Sequence, residues 1–119
     1  MTTGGMSVGE EDHIKPAVEA LGRIDLWRVK LKPGKPLAFG EVKGVPFIGL
    51  PGNPVSGFVV CLMMARPYLM RRMGFAKVDM TPMKIRADFD WAKPGDREEF
   101  VRVRRNDEGG LDLYHTQNS

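Results

Sequence analysis

The distribution of apolar positions divides the chain into an α/β block and a β block. In the first block, residues 24–31, 37–42 and 45–50 have the composition of strands, and the last is apolar enough to lie centrally in a sheet. Residues 55–73 are apolar around most of their circumference, which predicts a helix buried on several sides and bent near Pro67. Strands followed by such a helix predict an α/β fold.

A shorter helix is predicted near the N-terminus. Pro16 suits the start of a helix, so the regular part is expected at residues 17–21 with Asp12 near its cap. Ser7 and Glu10 have capping-box spacing, which leaves an earlier start open.

The second block alternates between apolar and polar positions and predicts three strands, at residues 84–91, 98–104 and 111–116. Residues 93–96 and 106–110 between them are typical of turns. Three strands make a thin domain, so the chain is expected to be a piece of a longer protein.

The boundary between the blocks is predicted where the long helix ends. Gly74 suits a C-terminal cap, and Pro82 cannot continue a helix. We therefore expect residues 1–75 to form part of an α/β domain and residues 80–119 to form part of a β domain.

Composition narrows the class of ligand and the compartment. The net charge of +3 is a weak bias that favours a small anionic ligand over nucleic acid. No run approaches the roughly 20 apolar residues of a membrane span, and no secretory signal is recognised. The single cysteine, Cys61, excludes an internal disulfide framework and fits a reducing, cytoplasmic compartment.

The first candidate ligand loop is residues 2–12. Its glycines let backbone N–H groups approach an anion, and its hydroxyls add donors. The carboxylates near its end suit a hard cation such as magnesium. The alternative interpretation is an ordinary glycine turn before a capped helix.

The second candidate loop is residues 30–36. It carries three lysines on a turn stiffened by two prolines, with Arg28 just upstream, and could concentrate positive charge on an oxyanion. The alternative is a solvated hairpin, because isolated surface charges are common.

The third candidate loop is residues 49–56. Asn53 is a good N-cap and Pro54 suits the first helical position, so free N–H groups at the helix start would attract an anion. The alternative is a well-capped connection between strand and helix. Trp27 and Trp91 are interpreted as core or interface residues rather than cofactor platforms.

The three loops, in this order and spacing, closely resemble the molybdopterin molybdenumtransferase family, which includes the gephyrin E domain. The motifs that carry the resemblance are residues 2–12, residues 32–36 with Phe39 and Gly40, and residues 49–56. The resemblance covers nearly the whole chain. It implies half of a three-layer molybdopterin-binding α/β domain, followed by the start of a small β domain.

The resemblance also implies a reaction, in which molybdate is inserted into adenylylated molybdopterin with Mg²⁺ and the adenylyl group is released. Asp12 matches an acidic catalytic residue of the family, and Asp12 with Glu10 would bind the metal. The loops and the resemblance together predict these substrate-binding residues: Gly4, Gly5, Ser7, Arg28, Lys32, Lys35, Pro51, Gly52, Asn53, Pro54 and Ser56. Arg28 stands where some members carry lysine.

The partners implied are the small-molecule substrate, a second copy in a homodimer and the molybdopterin adenylyltransferase, with neither nucleic acid nor membrane. Other site residues of the family lie upstream of Met1 and beyond Ser119, so this chain alone is expected to be inactive. Two alternatives stay open: a noncatalytic scaffolding module of the gephyrin type, and the related adenylyltransferase.

Overall fold

The computed structural model describes residues 1–5, 12–34, 36–92 and 95–117. The elements in chain order are β1 (Thr2–Thr3), α1 (Ile14–Leu21), β2 (Gly22–Arg28), β3 (Leu31–Lys32), β4 (Pro36–Val42), β5 (Val45–Leu50), α2 (Pro54–Val60), a π-helical segment (Cys61–Ala65), α3 (Arg66–Arg72), β6 (Glu98–Glu99), β7 (Val103–Arg105) and β8 (Leu111–Leu113). The segments from α2 to α3 form one uninterrupted helix.

The main sheet has the strand order β1-β5-β4-β2. Strand β5 is parallel to β1 and antiparallel to β4, which is in turn antiparallel to β2. Residues 47–50 of β5 are buried, as expected for a strand inside a sheet. The prediction of a central strand at residues 45–50 is therefore confirmed.

Helices cover both faces of this sheet. On one face, Ile48 of β5 lies in a core cluster with Val60 of α2. On the opposite face, its neighbour Phe47 packs with Val18 of α1, because successive strand residues point to opposite sides. The predicted α/β fold is confirmed, and the first block has three layers.

The first helix starts earlier than predicted, at Ile14, and has Pro16 in its first turn, where the missing N–H costs no hydrogen bond. Its N-cap is His13, which makes no side-chain capping hydrogen bond. Asp12, which the sequence predicts near the cap, is the residue before it. The capping-box residue Ser7 and its partner lie outside the described residues.

The long helix starts as predicted. The Oδ1 of Asn53 accepts hydrogen bonds from the backbone N–H of Val55 at 3.0 Å and of Ser56 at 3.1 Å, and Pro54 occupies the first helical position. The helix ends after Arg72 with Gly74 at φ +91°, which confirms the predicted glycine cap.

A π-helical segment lies just before Pro67, where the sequence predicts a bend; the bend itself stays a prediction. Pro67 has no N–H and its ring crowds the carbonyl four residues earlier, so a regular α-helical turn is disfavoured there. The N–H of Arg66 instead donates to the carbonyl of Cys61, five residues back.

The prediction that this helix is buried on several sides is wrong. The side facing the sheet is buried, whereas Phe58 is 65% exposed and Met73 is 73% exposed. The apolar pattern extended around the helix, but the sheet of this chain covers only one side of it.

Strand β2 begins at Gly22, earlier than the predicted start at residue 24, and ends at Arg28. The pairing of Gly22 with Val42 sets this start, since β2 follows β4 from its last residue. Leu31 lies instead in the separate short strand β3.

The β block differs most from its prediction. The expected strand at residues 84–91 is reduced to an isolated bridge between Ala87 and Leu111, because β8 meets this segment only there. The expected strand at 98–104 is divided into β6, which pairs with β3 of the first block, and β7, which pairs with β8. The expected strand at 111–116 ends at Leu113. The division into domains at residues 1–75 and 80–119 stays a prediction.

Candidate anion-binding site

The first and third loops meet beyond the C-terminal end of β5. The backbone N–H of Gly4 donates to the carbonyl of Leu50 at 3.1 Å. A Cβ on Gly52 would lie only 3.1 Å from the Cα of Gly4, so the two backbones approach closely at this point. The close approach brings the glycine turn against the loop that precedes α2.

The second loop lies against the start of α2. Gly34 has φ +125°, a conformation that residues with a side chain rarely adopt. A Cβ there would lie 2.5 Å from Cγ2 of Val60 and 3.5 Å from the carbonyl oxygen of Ser56. The second and third loops are therefore in direct contact, and the three loops are neighbours.

A cavity of about 430 Å³ lies between the second loop and the β block. Its polar and charged lining comprises Lys32, Ser56, Trp91, Arg97, Glu99 and Gln117. The volume is within the range of small-molecule sites and larger than one tetrahedral oxyanion requires. Two of the predicted site residues that carry polar side chains, Lys32 and Ser56, line it together.

The ammonium of Lys32 is held by a carboxylate in this cavity. Its Nζ lies 2.7 Å from Oε1 of Glu99, and the Nε1 of Trp91 donates to Oε2 of the same residue at 2.6 Å. Hydrogen bonds from Lys32 and then Trp91 lower the pKa of Glu99, since both stabilise the charged form. The predicted cation therefore has an internal counter-ion.

The helix start does not offer the free N–H groups that the sequence predicted. The N–H groups of Val55 and Ser56 donate to the Asn53 side chain, and that of Gly57 donates to the Asn53 carbonyl at 2.8 Å. Pro54 has no N–H. The capping that makes Asn53 a good N-cap uses the donors that an anion would need, so positive charge at the site comes from side chains.

The remaining predicted site residues lie in several places. Arg28 ends β2 opposite Pro36, and Pro54 lines a separate apolar groove with Phe58. Of the described residues, neither Asp12 nor Arg28 nor Pro54 lines the Lys32 cavity. Pro51 is buried. Gly5, in the first loop, has a φ of +65° and packs against α1. Ser7, Glu10 and Lys35 lie outside the described residues.

Sequence reasoning missed the contribution of the β block. The sequence favours a core or interface role for Trp91, but this residue is 39% exposed, lines the cavity and donates a hydrogen bond to Glu99. Glu99 reaches the site because β6 pairs in parallel with β3, which aligns it with Lys32. A two-residue pairing between distant segments leaves no periodic signal in the sequence.

Two further features concern metal ions and membranes. Within the described part of the chain, no group of three or more His, Cys, Asp and Glu side chains is arranged to hold a metal ion. No helix in the same part is both long enough and apolar enough to cross a bilayer.

A mixed sheet between helical layers, with glycine and proline-stiffened loops gathered beyond its central strand, defines a three-layer α/β ligand-binding domain. Residues 1–71 match the family model described as "Probable molybdopterin binding domain". The chain belongs to this family of molybdopterin-binding domains.

The names of similar proteins agree with this family. The chain is 43% identical over 74 residues to a molybdopterin molybdenumtransferase of Haemophilus influenzae, with 62% of the chain and 18% of that protein aligned. It is 37% identical to the molybdenum cofactor synthesis protein cinnamon of Drosophila melanogaster, with 98% of the chain and 20% of that protein aligned. It is 35% identical to gephyrin of Dictyostelium discoideum, with 63% and 13% aligned. The chain thus spans a fifth or less of each of these relatives.

A solved structure supports the fold. The crystal structure of the molybdopterin biosynthesis MoeA protein from Pyrococcus horikosii superposes with a TM-score of 0.61 at 23% identity. The superposition covers 85% of this chain and 25% of that one. Residues 1–75 make up less of the chain than the 85% that superposes. The superposition therefore includes most of the β block as well as the α/β block.

Proposed function

We propose that this chain is part of a molybdopterin molybdenumtransferase, which inserts molybdate into adenylylated molybdopterin during molybdenum cofactor biosynthesis. The main support is the convergence of the three loops, with Lys32 and Ser56 lining one cavity beside them. The names of the relatives and the family match support molybdenum transfer to molybdopterin, and the resemblance of the three loops implies the adenylylated form of the substrate.

In this proposal Lys32 supplies the positive charge that attracts the anionic parts of the substrate. Arg97 adds a second cation from the β block, and Ser56 adds a hydroxyl beside them. Gly4 and Gly52 allow the backbones of two loops to approach each other and the ligand. The cavity is then closed by residues of both blocks, with Trp91 and Gln117 opposite the loops.

The metal and the remaining residues belong to the proposal as well. Mg²⁺ would be held through Asp12 and Glu10, of which only Asp12 is described by the structure. Arg28, Lys35, Ser7 and Gly5 would contact the substrate from the first two loops. Asp12 would be the catalytic carboxylate.

We also propose a cytoplasmic homodimer that receives its substrate from the molybdopterin adenylyltransferase. Exposed apolar side chains of the long helix support association, because Phe58 and Leu69 are 65% and 42% exposed. Exposed apolar side chains grouped on one surface are typical of protein interfaces.

The test uses the full-length parent protein and follows molybdate-dependent release of AMP from adenylylated molybdopterin. Lys32→Met is expected to lower this rate at least about tenfold, because a charge-assisted contact to the substrate is lost. Lys77→Met, which removes an exposed lysine outside the three loops, is the matched control and should retain the rate. AMP release that is independent of molybdate, or unaffected by Lys32→Met, would contradict the proposal.

The chain alone is expected to show no AMP release, because it spans a fifth or less of the named relatives. Measurable release by the purified 119-residue chain would contradict this expectation.

A noncatalytic scaffolding role is the second candidate, favoured by the similarity to gephyrin. The AMP assay on the parent protein separates the two, since a scaffold without the activity would release none. The adenylyltransferase alternative is separated by the direction of the reaction, because that enzyme would consume ATP to form the adenylylated pterin.

A further inference from the structure

Glu99 occupies the place on Lys32 that an oxyanion ligand would take. Its Oε1 lies 2.7 Å from the Lys32 Nζ, which is the distance of a strong charge-assisted hydrogen bond. Both residues line the same cavity, and the Lys32 side chain is 51% exposed while that of Glu99 is 11% exposed. The carboxylate is therefore the more buried partner and the lysine is the more exposed one.

Several contacts hold Glu99 in place. The Nε1 of Trp91 donates to its second oxygen at 2.6 Å, so each of its two oxygens accepts a hydrogen bond. On either side of it, the N–H of Glu98 donates to the carbonyl of Lys30 at 3.1 Å and that of Phe100 to the carbonyl of Lys32 at 2.7 Å. The lowered pKa of Glu99 keeps the carboxylate charged at neutral pH.

A small dianion that approaches Lys32 meets this negative charge. Two like charges about 5 Å apart repel appreciably even at a high effective dielectric constant. A free tetrahedral oxyanion has few other contacts with which to compensate. A larger ligand can compensate, because the cavity of about 430 Å³ also offers Arg97 and Ser56.

We infer that Glu99 is a specificity-determining residue of this site, which weakens the binding of small free oxyanions to Lys32 and so favours larger anionic ligands. The inference rests on the proposed function, because it takes Lys32 as a ligand-binding residue. It assigns to the β block a role in ligand choice that the first block alone does not provide.

The experiment is a calorimetric titration of the 119-residue chain with sodium molybdate and, separately, with inorganic phosphate. Glu99→Gln keeps the size of the side chain and one acceptor oxygen for a donor such as the Trp91 N–H, but removes the charge. It is expected to bind both anions about fivefold more tightly than the unaltered chain. Glu98→Gln removes the same charge from the neighbouring exposed position and should leave both affinities within about twofold.

A second variant covers the case in which Glu99→Gln fails to fold. Glu99→Ala also removes the charge, together with both hydrogen bonds of the side chain, so it should likewise bind both anions about fivefold more tightly than the unaltered chain. Weaker, unchanged or undetectable binding of both anions by the folded Glu99→Gln variant overturns the inference. If only Glu99→Ala folds, the same results for that variant overturn it.

Adding Lys32→Met to Glu99→Gln separates this inference from the proposed function. Loss of the tightened binding supports both. Tightened binding that persists without Lys32 places the anion elsewhere and overturns both. If Lys32→Met abolishes anion binding but Glu99→Gln does not tighten it, Lys32 remains the ligand residue and only the role of Glu99 is wrong.

Discussion

The Asn53 side chain affects both the start of the long helix and the ability of that helix start to bind an anion. Its Oδ1 accepts hydrogen bonds from Val55 and Ser56, which fixes the first residue of the long helix. The same bonds use the donors that an anion would otherwise find at this helix start. The start of the helix was predictable from the residue type. That the cap uses the N–H groups an anion would need is shown only by the hydrogen bonds in the structure.

Removing this cap should destabilise the protein. Asn53→Ala is expected to lower the free energy of unfolding by about 1 kcal/mol, since two backbone donors lose their partner. Urea denaturation followed by circular dichroism measures this. Asn53→Asp keeps an acceptor at the same place and serves as the control. A variant with alanine that is as stable as the aspartate variant would show that the cap contributes nothing.

Asp88 is the most strongly perturbed acid among the described residues. Its carboxylate accepts hydrogen bonds from Arg86 and from the Asn106 side chain at 2.8 Å. These contacts, the Arg86 bond first, lower the pKa of Asp88 to about 2. Because the folded value lies below the unfolded value of about 3.9, this group stabilises the fold above about pH 4 and loses that contribution as the pH falls towards 2.

Asp88→Asn is therefore expected to be less stable than the unaltered chain at neutral pH and to lose less stability between about pH 4 and pH 2. Thermal melting at half-unit pH steps gives the comparison. Asp90→Asn, at an exposed position two residues away, is the matched control and should follow the unaltered chain. Parallel curves for Asp88→Asn and the unaltered chain would refute the assignment.

At the scale of elements, features that depend on neighbouring residues were predictable. The strand at residues 45–50, the cap at Asn53 and the glycine cap at Gly74 all follow from local propensity and capping chemistry. The pairing of β6 with β3 was not predictable, because it joins residues whose hydrogen-bonding side chains lie 67 positions apart. The prediction of a strand at residues 84–91 is wrong for the same reason, since a strand needs a pairing partner that the local sequence does not specify.

The turn at Gly34 packs closely against Val60 of α2. Gly34→Ala is expected to cost about 2 kcal/mol of unfolding free energy, because its Cβ would meet Val60 and its φ of +125° disfavours a side chain. Gly44→Ala is the control, since Gly44 also has a positive φ of +79° but open space around it. Guanidinium denaturation of both variants separates the steric clash from the backbone cost. Equal losses would show that contact with Val60 is unimportant.

At the scale of the whole molecule, the two blocks are joined beside the candidate site. Strand β6 pairs with β3, and the Phe100 side chain packs against the core cluster that contains Leu31 and Val60. The sequence predicted two blocks and a boundary, but it did not predict that the second block would supply Trp91, Arg97 and Glu99 to the cavity. The part of the site that the β block supplies was not predictable from the sequence, because it depends on how one block packs on the other.

Weakening this contact should loosen the β block selectively. Phe100→Ala is expected to increase amide hydrogen exchange in β6, β7 and β8 by at least about tenfold, because part of the apolar contact with the first block is lost. Exchange in β4 and β5, which have their own core, should change little. Uniformly faster exchange across both blocks would indicate that they unfold as a single unit.

The π-helical segment has a consequence for the length of the chain. Val60 and Ala65 lie five positions apart yet are both buried in one cluster, whereas five positions in a regular α-helix turn a side chain about 140° away from its starting direction. The extra residue therefore keeps Ser56 towards the cavity while Arg66 reaches the carbonyl of Val78. Relatives that lack one residue here must either rotate one half of this helix relative to the other or lose one of these two attachments.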